Sequence, residues 1–198
     1  KGLLAVTIYF FVISLCSGVY STLIMPYFRS TGDWAFFGYN LDGMVVYIMI
    51  YGASTIGRFL GANVQYRIKF NKEKRFNVAM AVYIITNALY IIIFHLPVYL
   101  MVLCMFVEGA LSVTSYNIRI SSTQQYVPDH KRGRFNGVFL FFNNLGMILG
   151  QLVAGGIGDL GWSVPIIITV DFAFNLVAVF LIVLPARNQI SKIYNADL

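Results

Sequence analysis

Four ionisable side chains stand inside otherwise apolar stretches: Asp42, Arg58, Glu108 and Asp171. In lipid such a group costs about 2.5–3.5 kcal/mol at a helix centre on insertion scales, so each is a candidate for binding or proton transfer. Glu108 leads. It lies about eleven residues into its stretch, roughly 16 Å from the nearer end at 1.5 Å per residue, close to a bilayer midplane. There it can bind a cation, carry a coupling proton, or serve as a structural carboxylate paired with an arginine or hydrogen-bonded within a bundle. Arg58 has a stem long enough to snorkel to the headgroups, and pairing with Glu108 is the alternative. Asp171 is expected to hydrogen-bond inside the bundle, with Asn175 four residues on as one partner. Asp42 fits a helix-start acid at the positive end of the dipole. Asn143 and Asn144 are mid-depth amides that need partners.

No catalytic set surrounds these residues. Cys16 and Cys104 both lie in apolar runs, and His95 and His130 have no cysteine at zinc-ligand spacing. Neither G-x-S-x-G nor H-E-x-x-H occurs. Gly156-Ile157-Gly158-Asp159 spells the G-x-G-D string of intramembrane aspartyl proteases, whose chemistry needs a second carboxylate on an adjacent span. The preceding span has no Asp, and Asp171 lies on the next one, so this reading is remote. No metal, cofactor or enzymatic activity is expected.

The elements that position these side chains follow from composition. Of 198 residues, 59% are hydrophobic and 11% charged, against about 25% charged in a soluble domain. Mean hydropathy is +0.74. Six stretches, about 3–25, 41–65, 76–95, 98–120, 135–158 and 164–185, are long and apolar enough to cross a bilayer core as helices. Pro26, Pro97, Pro128, Pro165 and Pro185 fall at boundaries or in loops. Runs such as Val98–Val107 do not alternate, which excludes a β-barrel. The expectation is an all-α, six-span membrane bundle. The net charge of +6 is a topology signal rather than a nucleic-acid signature. Arg67, Lys69, Lys72, Lys74 and Arg75 follow the second span, and Lys131, Arg132 and Arg134, with Arg119 at the edge, follow the fourth. Arg187 and Lys192 follow the sixth, so both ends are expected in the cytoplasm of a cell-membrane protein.

Small residues recur at four-residue steps: Ala53, Gly57 and Gly61 on the second span, and Gly146, Gly150, Ala154 and Gly158 on the fifth. Such stripes let a neighbouring backbone approach closely. They occupy the middle span of each half, about 1–95 and 96–198, as an inverted three-plus-three repeat would place them.

The segment Thr123-Gln124-Gln125-Tyr126-Val127-Pro128, followed by Gly133-Arg134, resembles the loop entering the penultimate helix of major facilitator superfamily transporters, in the macrolide and siderophore efflux branch. Gly150, Gly155, Gly156 and Asp159 resemble that helix's exit, and Leu23, Pro26, Tyr39 and Gly57–Gly61 fit the first two spans. The loop signature departs from the family's: Gln65 stands where Asp is expected and Ile68 where Gly is. The resemblance implies the C-terminal half of a twelve-span carrier, whose first and fourth spans line a central cavity. Three expectations follow. The chain, beginning Lys1-Gly2, is a piece of a longer protein or the remainder after processing. The glycine stripes form the seam with an N-terminal six-span half or a second copy. Asn143 or Asn144 meets substrate or that half, unless both hydrogen-bond structurally. The implied activity is proton-coupled efflux of amphipathic small molecules, absent or confined to a homodimer when the bundle stands alone. A membrane scaffold without transport is the alternative.

Overall fold

The computed structural model describes residues 1–67, 71–158 and 160–195. Helix α1 (Gly2–Ser30) leads into a hairpin of β1 (Asp33–Phe36) and β2 (Tyr39–Asp42), then α2 (Gly43–Arg67). After a 3-10 turn at Lys72–Lys74 come α3 (Arg75–Ile92), α4 (Val98–Tyr126), α5 (Asp129–Gly158), α6 (Val164–Ala178) and the short α7 (Arg187–Tyr194). Among the described residues six helices are long and apolar enough to cross a membrane.

Three expected boundaries need correction. Pro26 lies inside α1, in its last turn and a half, rather than at its end. The expected basic loop around Lys131, Arg132 and Arg134 is helical, because α4 runs to Tyr126 and α5 starts at Asp129. Outside the hydrocarbon a helix tolerates charge on every face, and Arg132 is held by Asp129 at 2.8 Å and by the Val127 carbonyl. Only the Val127-Pro128 break, where proline removes a donor, separates the two helices. The third correction is the hairpin, which periodicity in the flanking spans hides. Its turn has Phe37 at φ 47° and Gly38 at φ 86°, the left-handed pair of a two-residue hairpin. A phenylalanine is unfavourable there, and Phe37 stacks on Tyr99 of α4 at 5.2 Å between centroids.

Packing pairs α1 with α5 and α2 with α4, while α3 lies against α6 and α4. The glycines explain the two tight pairs. A Cβ at Gly57 would strike the Phe106 carbonyl, one at Gly61 would lie 2.7 Å from Ala110 Cα, and Gly109 faces the Ser54 carbonyl. On the other side Gly18 meets Met147, Gly146 meets Phe11 and Gly150 meets Leu15, all through backbone. The stripes therefore do not form the expected seam with another half. Gly57, Gly61, Gly146 and Gly150 are consumed inside the bundle, and Ala53 and Ala154 are buried there too. Gly158, like Gly155 and Gly156, has nothing within 4 Å.

Two large apolar cores and a smaller cluster of Val19, Ala154 and Ile167 result. One, at the end where α7 lies, gathers Val6, Tyr9, Ala79, Ile118, Val179, Ile190 and Ile193. The other, beneath the hairpin, gathers Ile24, Phe28, Ile50, Ile93, Met101 and Ile168.

Candidate functional site

Between the two cores the bundle is hollow. A cavity of about 260 Å³ is lined by α1, α3, α4 and α6, with Arg58 contributed by α2. Three of the lining helices present a polar stripe at helical spacing, and α6 adds Asn175. On α1 it is Tyr9, Ser17 and Tyr20; on α3, Tyr83, Asn87 and Tyr90; on α4, Glu108, Ser112 and Ser115. These offsets of three, four, seven and eight residues fall on one helix face, so the stripes must turn inward together once the apolar residues pack.

Glu108 is 5% exposed, and its carboxylate accepts a hydrogen bond from the Ser54 hydroxyl at 3.1 Å. Gly109 gives that contact its geometry, since α2 and α4 touch backbone to backbone at Ser54. Arg58, Tyr90 and Ser112 are its other neighbours. Arg58 lines the same cavity but is exposed, and no ion pair joins it to Glu108. With Tyr116, also exposed, it marks the cavity's mouth, whereas Asn87 and Asn175, each 3% exposed, form the floor.

The floor is short of partners. The amide oxygens of Asn87 and Asn175 and the hydroxyls of Tyr9 and Tyr20 are buried without a hydrogen bond. Asn87 spends its amide nitrogen on the Tyr83 carbonyl at 2.7 Å. Buried polar atoms in native proteins are paired with protein or with water, and the cavity has room for several waters at about 30 Å³ each. The arrangement is a pouch with one carboxylate on its wall, unpaired polar atoms on its floor and room for water to satisfy them.

The other expected residues lie elsewhere. Asp171 does not bond Asn175. Its backbone carbonyl accepts from the Cys16 thiol, its Oδ2 has no partner, and it borders an apolar groove with Leu15, Val19 and Trp162. Asn143 is structural: it accepts from Ser14 at 2.7 Å and donates to the Phe139 carbonyl, tying α5 to α1. Asn144 is exposed. Asp42 caps α2, its Oδ1 accepting from Met44 N–H at 2.8 Å. Asp159, Ile68 and Lys69 lie outside the described residues. Among those described, no cluster of three potential ligands could hold a metal ion.

Arg119 is the largest departure from expectation. Placed by sequence at a loop edge, it is 6% exposed, and its guanidinium sits over Phe139 at 4.2 Å, Phe10 at 4.9 Å and Tyr116 at 5.2 Å. The signal was present in its spacing, eleven residues from Glu108 on the same face. A basic residue near a helix end has the same sequence pattern as a topology marker, which hides that spacing.

The family model of the Major Facilitator Superfamily matches residues 2–150 and again 69–193. The chain belongs to this superfamily. No curated protein and no solved structure matches it. Membership, together with six membrane-crossing helices, makes the chain a multi-pass membrane protein of a transport family and not an enzyme.

Proposed function

We propose that this bundle is the C-terminal half of a proton-coupled efflux carrier working by alternating access, with Glu108 as the group that exchanges a proton against substrate. The observation that carries the reading is the buried Glu108 on the wall of a pouch whose mouth holds a cation, Arg58. A carboxylate in a low-dielectric site is costly to keep charged, so its proton and a cationic ligand compete for one position. The pouch's size supports a division of labour. At about 260 Å³ it falls below the roughly 300–1,000 Å³ of drug-sized sites. It admits a polar head group, while the bulk of an amphipathic substrate rests in a space shared with a second six-span body.

The helix pairing supports an inverted repeat. Exchanging α1 with α4, α2 with α5 and α3 with α6 turns the α1–α5 pair into α4–α2 and leaves α3–α6 unchanged. The basic residues after the second and fourth spans support a cytoplasmic placement of the end that carries α7.

The test is transport of an amphipathic fluorescent cation by this bundle joined to its second six-span half, in vesicles under an imposed pH gradient. The wild type responds to the gradient, and Glu108→Gln loses the response. An unchanged response in Glu108→Gln rejects the assignment.

A further inference from the structure

The pouch reaches from Glu108 down to Tyr83, whose hydroxyl meets that of Tyr194 on α7 at 3.0 Å. Tyr83 and Tyr90 are seven residues apart on α3, about 10 Å at 1.5 Å per residue, a distance that a short file of waters in the cavity would bridge. Tyr194 in turn lies at the end of the bundle, where its carbonyl accepts from Ser122 at 3.1 Å and the next residue, Asn195, binds Glu73 and Phe76. A hydrated pouch closed by two touching hydroxyls is a path along which protons hop, and it would drain a gradient through the wall of one bundle.

Arg119 stands beside that closure. Among the described residues the titratable groups facing it are phenols: Tyr83 from α3, Tyr194 from α7 and Tyr116 from its own helix. From α1 and α5 it meets the rings of Phe10 and Phe139. No ion pair to Arg119 exists among the described residues, and its Nε has no hydrogen-bond partner. A buried cation without a counter-charge is expensive, and the aromatic faces recover part of that cost. Folding alone gives no reason to keep it, since an apolar side chain of similar volume would fit the same rings.

We propose that Arg119 is an electrostatic seal, which keeps the hydrated pouch of Glu108 closed to protons at the α7 end. A fixed positive charge beside a file of waters and hydroxyls repels an excess proton, the device by which arginines exclude protons from membrane pores. The pouch then exchanges protons through its mouth beside Arg58, whose side chain is exposed so that water and salt screen its charge. This rests on the proton-coupling reading of Glu108, and the two are separable by experiment.

The test is the rate at which vesicles carrying the full chain lose a pH gradient, read with an internal pH dye and no substrate. Arg119→Met, which keeps the volume between Phe10 and Phe139 and removes the charge, leaks about ten-fold faster than wild type, a barrier change of about 1.4 kcal/mol. Arg119→Lys, which keeps the charge, stays close to wild type, and thermal midpoints confirm that both variants are folded. Adding Glu108→Gln to Arg119→Met stops the leak. Arg119→Met vesicles as tight as wild type overturn the proposal, as does a leak that persists without Glu108. Loss of gradient-driven transport in Glu108→Gln, by contrast, bears on the coupling reading alone.

Discussion

At the scale of single residues the polar contacts divide into those that hold helices together and those that stay open. Ser14 and Asn143 belong to the first group. Interhelical hydrogen bonds in membranes average about 0.6 kcal/mol in double-mutant cycles, and a cycle of Ser14→Ala and Asn143→Ala, followed by unfolding in mixed micelles, should return a coupling of that order. The open groups on the pouch floor were harder to read from sequence. Glu108 was legible because a carboxylate in an apolar run has few explanations. Tyr9, Tyr20, Tyr83 and Tyr90 were not, because a membrane tyrosine fits an interface, a lipid contact or a core equally well. Only the packing shows that all four line one space, with the Tyr83 hydroxyl turned on to Tyr194. Arg119 was not legible as a buried cation for a related reason: its depth along α4 is that of an interfacial residue, and the rings that bury it come from other helices, Phe10 from α1 and Phe139 from α5.

Among the elements, the spans were legible in number and approximate position, since about twenty apolar residues leave little else for the chain to do. Their partners were not. The small-residue stripes announced close approach without naming the helix that approaches, and α4 and α1 took the places expected of a second half. This makes the glycines a contrast experiment. Gly150→Ala must push its Cβ into the Leu15 carbonyl, and overpacking costs about 1–3 kcal/mol or more, so the thermal midpoint of the purified protein should fall. Gly155→Ala places a Cβ with nothing within 4 Å and should not lower the midpoint. Equal effects would remove the packing argument.

The α7 element adds a pH dependence outside the membrane. Burial is the main cause that pushes the Tyr194 phenol up to about 12 from its ordinary 10.0, with the Tyr83 hydroxyl and Arg119 pulling the other way. The folded state therefore holds a proton that the undocked helix releases above pH 10. Docking of α7 keeps its full strength below about pH 10 and weakens as pH rises toward 12. Protease sensitivity of the Arg187 and Lys192 bonds should increase over that window in wild type, and less so in Tyr194→Phe.

For the whole molecule, an apolar bundle long enough to sit in lipid encloses a cavity with one carboxylate on its wall. The interior space is built by residues from α1, α3, α4 and α6 that span most of the chain, so it exists only once the bundle has closed. That is why composition identified the medium and a family resemblance identified the superfamily, while neither located the pouch. The most direct measurement counts protons in the purified protein, held in weak buffer with a pH indicator, as an amphipathic cation binds. The account predicts that binding releases a proton from wild type and none from Glu108→Gln. Equal release from both, or none from either, would contradict it.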